Sequence, residues 1–159
     1  MDASFWINLC VSQAIQFLPP YFQLYVPEVV VQEIRYPLEI LGIQSMTVSL
    51  FDQWRTNSWI TLRNPSANVN WFQPGENAAI ALALQQNYYL LMDDANPYHR
   101  AKRAGIKVVG SSEFIVLLLD HGKLSFEEAV EALKQNHASK KQKQEAIVVL
   151  EILRRRKGA

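Results

Sequence analysis

The sequence has one cysteine and no apolar run of membrane length. Cys10 stands alone among 159 residues, which excludes an internal disulfide and a zinc site built from several cysteines. No apolar stretch approaches the ~20 residues that a membrane helix needs, and no basic segment precedes an apolar one at the N-terminus. We therefore expect a soluble protein of a reducing, cytoplasmic compartment.

Charged residues are also scarce, at 19% of the chain against 49% hydrophobic residues. This composition excludes a disordered polyelectrolyte and suits one domain with a substantial core. The charge is unevenly spread: residues 1–133 hold eight Lys and Arg against thirteen Asp and Glu, whereas residues 134–159 hold eight against two. An acidic body with a basic tail indicates a cation-binding centre in the body and an anionic partner near the end.

The most informative stretch is residues 88–110. An apolar run at residues 88–92 ends in Asp93 and Asp94, and a basic amphipathic segment and a glycine then lead to a second apolar run at residues 106–109. This order predicts a strand, an acidic loop, a helix and a strand, which is one βαβ unit of a parallel sheet. Polar groups just past the carboxyl end of such a strand face the ligand crevice, so the two acids could hold a divalent cation there.

Three more acids could join this pair, although each also has a plain structural interpretation. Asp2 can cap the first helix, Glu33 can lie on a solvated helix face, and Glu76 can complement the dipole of the helix that it begins. The alternation of strands and helices predicts a mostly parallel sheet, in which Asp2 closes the first strand and Asp93 and Asp94 close the fourth. If those strands are neighbours, the carboxylates meet and repel one another unless a cation neutralises them. Oxygen ligands alone favour Mg²⁺ or Mn²⁺ over zinc.

In order and spacing, these motifs resemble the PIN-domain nucleases, a family that includes the VapC-type toxins. The resemblance covers roughly residues 1–124 and rests on the segments DASFWINL, VPEVVVQEI, PGENAAIALA and LLMDDANPYHRAKRAGIKVVGSSEFIVLLLDHG. It implies a three-layer α/β/α domain at residues 1–124, with a central, mostly parallel sheet of about five strands. Residues 125–159 are expected to form a helical extension with a basic tail, within the same globular unit.

The resemblance also implies which side chains carry the chemistry. The catalytic acids of the family correspond to Asp2, Glu33, Glu76 and Asp94, and the metal ligands to Asp2, Glu76, Asp93 and Asp94. Spacing to the glycine at position 105 favours Asp94 as the fourth acid, but Asp93 ends the strand more directly, so both are kept. Ser4 and Ser111 are expected as supporting hydroxyls, and Arg100, Lys102 and Arg103 as candidates for binding RNA phosphates.

The implied activity is that of a Mg²⁺- or Mn²⁺-dependent endoribonuclease, acting as the toxin of a VapBC-type toxin–antitoxin system. A cognate antitoxin and a homodimer are expected with it. One departure motivates an alternative, because only Met1 precedes Asp2 where family members have a full first strand. Either the true start lies upstream, or the first strand is short and the metal site less rigid. The alternative is a catalytically weak PIN-fold module that binds RNA or has a regulatory role.

Overall fold

The computed structural model describes residues 1–158, which form eight α-helices and four short strands. In chain order, the elements are α1 (Ala3–Val11), β1 (Leu24–Val26), α2 (Glu28–Glu39), α3 (Met46–Thr56), β2 (Ile60–Leu62), α4 (Pro74–Gln86), β3 (Leu90–Leu91), α5 (Ala95–Arg103), β4 (Val108–Val109), α6 (Ser111–Asp120), α7 (Phe126–Gln135) and α8 (Lys140–Arg156). One 3₁₀ turn, Ile15–Phe17, follows α1. Across these residues, no helix is both long and apolar enough to cross a membrane.

The strands form two separate parallel sheets, β1 with β2 and β3 with β4. The expected central sheet of about five strands is therefore not present in residues 1–158, although the mixed α/β character and the parallel pairing are. The first two residues bridge the two sheets: the Met1 amino group donates to the Tyr25 carbonyl at 3.1 Å, and the Asp2 amide donates to the Leu91 carbonyl at 3.0 Å. Neither of these two residues lies in a strand.

Asp2 consequently caps a helix and does not close a strand. Its backbone is extended, and its carboxylate accepts from the Phe5 amide at 3.0 Å, so the chain passes directly from the sheet into α1. Such a cap satisfies one of the amides that the first helical turn leaves free. Asp2 thus belongs to the bridge between the sheets and also caps α1.

Two groups of buried apolar side chains hold the helices to the sheets. The larger group is centred on α1, where Trp6 packs edge-on against Phe51 and Trp54 of α3, with ring centroids 5.3 and 5.2 Å apart. The smaller group joins α4 to β3, α5 and β4. In that group Ala79 and Ala83 let α4 approach the sheet closely, since an alanine adds little volume between backbones.

The C-terminal helices pack onto α6 as part of the larger group. Leu133 of α7 and Leu150 of α8 are buried there. A capping box begins α7, since the Ser125 hydroxyl accepts from the Glu128 amide while the Glu128 carboxylate accepts from the Ser125 amide. The link between α7 and α8 then turns back toward the end of β3, and this return brings the extension to the site described next.

Candidate active site

Four helices begin close to one another at this site. Their caps are Asp2 for α1, Gln73 for α4, Asp94 for α5 and Gly110 for α6. The first turn of a helix has free amides and the positive end of the helix dipole, and both favour negative charge. The fold can therefore gather carboxylates at this point, and it also offers a favourable place for a phosphate.

Asp93 lies two residues past the end of β3 and is buried, with 4% of its surface exposed. One carboxylate oxygen accepts from the Ser111 amide at 2.6 Å, and the other accepts from the Ser111 hydroxyl at 2.5 Å and the Asn8 amide group at 2.6 Å. The Asn136 amide group donates to the Ser111 hydroxyl at 2.8 Å. These four residues, Asp93, Asn8, Ser111 and Asn136, form what we call the buried network. It ties β3 to α1, to α6 and to the α7–α8 link.

Asp94 is exposed and stands among the other acids. Partial burial raises the pKa of Glu76, and the negative charges of Asp94 and Glu33 raise it further, against a hydrogen bond from the Gln73 amide. Burial likewise raises the pKa of Glu33, with a further contribution from Asp94. Asp94 is thus the common neighbour of the acids contributed by α1, α2 and α4. We call Asp2, Glu33, Glu76 and Asp94 the acid cluster.

Asp2 is the buried member of the acid cluster, at 2% exposure. Burial raises its pKa to about 7; hydrogen bonds from the Phe5 amide and the Ser4 hydroxyl oppose this shift, and the charges of Asp93 and Asp94 add to it. The Ser4 hydroxyl donates to the Asp2 carboxylate at 2.7 Å, so it orients this acid as a supporting residue would. Burial also raises the pKa of Asp93, despite the donors of the buried network.

Glu33 is on α2, and its side chain lies against the start of α4, which places it in the acid cluster. A Cβ placed on Gly75 would overlap the Glu33 carboxyl group, so the space for this acid exists because position 75 is a glycine. A hydrogen bond from the Gly75 backbone lowers the pKa of Glu33 and partly offsets the effect of burial. The sequence pattern pointed to the acid but not to the glycine that makes room for it.

The chemistry of the acid cluster fits a hard divalent cation. All its donors are carboxylate oxygens, and mutual repulsion among them is what a cation would relieve. The spacing is that of an open cluster, since no three His, Cys, Asp or Glu side chains within residues 1–158 stand close enough to hold one metal ion together. Asp2, Glu33, Glu76 and Asp94 are the side chains that could close around such an ion.

Arg100, Lys102 and Arg103, the three candidates for binding RNA phosphates, lie in two different environments. The Arg100 guanidinium stacks over the Trp71 ring at 4.7 Å, and Arg100 and Arg103 both line an open groove of about 580 Å³ beside the acid cluster. Lys102 instead lies over the Tyr98 ring at 4.5 Å and 3.5 Å from the Glu113 carboxylate. Burial raises the pKa of Glu113 to about 7. Lys102 is therefore engaged with α6, whereas the two arginines face the groove.

Three polar residues near the site were missed by sequence reasoning. Asn8 and Asn136 belong to the buried network, and Gln142 donates to the Asp93 carbonyl at 3.1 Å. A signal for Asn8 exists, because Ser4, Asn8 and Ser12 are spaced by four along an otherwise apolar helix and mark one polar stripe. No local pattern marks Asn136, whose position depends on the chain folding back after α7.

A protein-family model described as a PIN domain, DUF3368, matches residues 1–152. No curated protein sequence and no solved structure matches the chain at a significant level. The family match extends past residue 124, where the resemblance seen in the motifs ends, and takes in α7 and most of α8.

Proposed function

Because this chain belongs to the PIN-domain family, we propose that it is a metal-dependent endoribonuclease that hydrolyses RNA phosphodiester bonds at the acid cluster. The family has a nuclease-type fold, and its members are generally hydrolases that use divalent metal ions. The observation that carries the proposal is the convergence of three acids from separate elements, Asp2, Glu33 and Glu76, around Asp94, beside four helix N-termini. A purely structural set of acids would not need this mutual proximity, because each acid raises the energy of the others.

Each residue of the cluster has a task in this proposal. A bound Mg²⁺ or Mn²⁺ would supply a water of lowered pKa and would stabilise charge on the phosphate. Asp2, Glu76 and Asp94 would hold the ion, with Ser4 keeping the Asp2 carboxylate oriented. Glu33 is suited to take the proton of the attacking water, because its raised pKa brings it closer to neutral pH. Asp93, whose two oxygens already accept three hydrogen bonds, would support the site and would not ligate.

The test is cleavage of a labelled RNA with Mg²⁺ or Mn²⁺, with and without chelation. We expect cleavage only with the metal, and a loss in Asp94→Asn that exceeds the roughly 10–100-fold typical of removing a group that merely orients a metal ligand. Asp120→Asn is the matched control, since Asp120 ends α6 on the surface away from the cluster. Cleavage that survives chelation, or an Asp94→Asn protein as active as Asp120→Asn, would sink the proposal. Circular dichroism establishes that both variants are folded.

The open spacing of the acids favours one other function, a catalytically weak module that binds RNA. The absence of a preformed metal cage among residues 1–158, together with the bridge of only two residues between the sheets, motivates it. Tight RNA binding that is independent of metal, without cleavage at any metal concentration, would favour this function over the nuclease.

We further propose that the protein is the toxin of a VapBC-type pair in the cytoplasm and forms a homodimer. An exposed apolar surface at the end of α2 and the turn into α3 supports a protein partner: its members are Tyr36, Ile40, Leu41, Ile43 and Met46, with Ile40 and Met46 at 65% and 67% exposure. Clustered apolar side chains of this kind usually mark an interface.

Two measurements test this role. Light scattering should give twice the chain mass of 18.2 kDa. Expression of the chain should arrest growth, and co-expression of a small adjacent reading frame should relieve that arrest. A monomer whose expression leaves growth unaffected would contradict this role.

A further inference from the structure

The groove beside the acid cluster has walls of two different kinds. One wall is the loop at residues 70–72, and the other is the face of α5 that carries His99, Arg100 and Arg103. Its volume of about 580 Å³ is within the range of sites that hold small organic groups. None of the residues that line it in the described chain is acidic, although the neighbouring cluster is entirely acidic. We call it the stacking groove.

Both walls lead directly to the acid cluster. Phe72 lies four residues before Glu76, so the loop runs into the first turn of α4. Asp94 caps α5, and Arg103 is the last residue of the same helix, which places it roughly 13 Å along the axis from Asp94. A nucleic-acid strand with a phosphate at the acid cluster could therefore continue into the stacking groove without leaving the protein surface.

The aromatic wall is held in place before any ligand arrives. The Asn77 side-chain oxygen accepts from the backbone amides of Trp71 and Phe72 at 3.0 and 2.7 Å, and its amide group donates to the Phe72 carbonyl at 2.8 Å. Trp71 and Phe72 are half-buried against the smaller apolar group. A fixed aromatic ring costs little conformational entropy when a ligand stacks on it, which favours binding.

The cationic wall has charge that the protein does not neutralise. The Arg100 guanidinium lies over the face of the Trp71 ring, with its central carbon 4.7 Å from the ring centroid, so the two side chains form a cation–π pair. Arg103 is exposed and forms no ion pair or side-chain hydrogen bond within the part of the chain that the structure describes. Lys102, its neighbour in sequence, is held by Tyr98 and Glu113 on the other side of α5. Aromatic and guanidinium planes beside a free cation are suited to an unpaired base and its phosphate.

We propose that the stacking groove binds an unpaired nucleotide next to the cleaved phosphate, with its base against Trp71 and Arg100 and its phosphate at Arg103. The protein would then require single-stranded RNA, because a base within a duplex has no free face to present. The proposal rests on the proposed function for the place of cleavage, whereas the binding can be measured without any cleavage.

The experiment measures fluorescence anisotropy of a short single-stranded RNA and of the same RNA paired with its complement. All binding is measured in Mg²⁺ with proteins that also carry Asp94→Asn, so that the RNA probe is not cleaved. We expect Trp71→Ala to weaken single-strand binding by about 5- to 150-fold, the range measured for loss of base stacking. Arg103→Ala should flatten the slope of log K against log salt by about 0.7, which corresponds to one phosphate contact on a single strand. Lys123→Ala, which removes an exposed positive charge in the turn after α6, is the matched control and should change neither.

Trp71→Phe separates stacking from folding of the loop, since it keeps a ring at position 71. It should retain most of the binding that Trp71→Ala loses. Equal affinity for single strand and duplex, or unchanged binding in both Trp71→Ala and Arg103→Ala, would overturn the stacking groove even if the unmodified chain cleaves RNA. Conversely, the expected losses in a protein that never cleaves RNA would uphold the groove and refute the nuclease.

Discussion

Asp93 and Asp94 are adjacent in sequence and have opposite surroundings. Asp93 is buried and accepts three hydrogen bonds within the buried network, whereas Asp94 is exposed and lies among other carboxylates. Successive side chains at the end of a strand point to opposite sides, so one acid turns inward and the other faces the crevice.

The difference shows how two neighbouring residues of one short loop can have different roles: Asp93 holds several elements together, whereas Asp94 joins the acid cluster. The buried network pairs its polar groups, which makes it rigid and costly to disrupt. The acid cluster instead keeps charges close together without internal donors to neutralise them all, which is unfavourable for the folded chain and favourable for binding a cation. The following predictions test this division, in order of decreasing effect.

Asp93→Ala should destabilise the protein strongly, whereas Asp94→Ala should not. Removing the Asp93 carboxylate leaves buried donors of Ser111 and Asn8 without an acceptor, and each such loss costs about 1–3 kcal/mol. We expect the free energy of unfolding, measured in urea, to fall by about 3 kcal/mol for Asp93→Ala and by less than ~0.5 kcal/mol for Asp94→Ala. Equal losses in the two variants would abolish the distinction between the acids.

Asn136→Ala should weaken the buried network from the C-terminal side. It removes the donor to the Ser111 hydroxyl and the acceptor of the Ala138 amide, so we expect a loss of about 1–2 kcal/mol in the free energy of unfolding. RNA cleavage should fall with it, because Ser111 helps to orient the loop that carries Asp94. His137→Ala, at the exposed neighbouring position, is the control. An Asn136→Ala protein as stable as this control would show that the link between α7 and α8 does not support the site.

Gly75→Ala should disturb the acid cluster and leave the buried network intact. The added methyl group overlaps the Glu33 carboxyl group, so Glu33 must move, and we expect cleavage to fall by roughly 10-fold, as for loss of a group that orients a catalytic centre. Thermal stability should change little, since Gly75 lies in the first turn of α4. In a Glu33→Ala background the same substitution should have no further effect on cleavage. A full additional loss there would show that Gly75 acts through something other than Glu33.

The metal-free protein should become less stable as pH rises from about 4 to about 7. The folded-state pKa of Asp2 is raised from 3.8 to about 7, so in this window the folded chain binds more protons than the unfolded chain and loses that advantage as the pH rises. Mg²⁺ replaces the proton as the neutralising charge, so its effect on the melting temperature should grow over the same range, by on the order of 2–4 °C for each kcal/mol gained. A Mg²⁺ effect that is equal at pH 5 and pH 8 would separate the metal from these carboxylates.

Local patterns in the sequence were enough to predict several helices and strands and the acidic residues of the candidate site. The βαβ unit at residues 88–110, the helix that begins near Glu76 and the capping box of Ser125 all follow from short-range periodicity and capping. The five-stranded sheet did not follow, because strands pair over long sequence distances and the first two residues only bridge β1 to β3. Gly75 and Asn136 were missed for the same reason, since each matters through a contact with a residue far away in sequence.

By itself, the sequence determined that acids end a strand and begin helices, that basic residues follow them on one helix, and that the motifs belong together in family order. Only the tertiary structure decided that Asp93 turns inward while Asp94 faces the other acids, and that Lys102 and Arg103 lie on different sides of α5. The physical reason is that capping and periodicity act within a few residues, whereas the direction of a side chain depends on the partner that it meets. For Asp93 that partner is Asn8, which is 85 positions away.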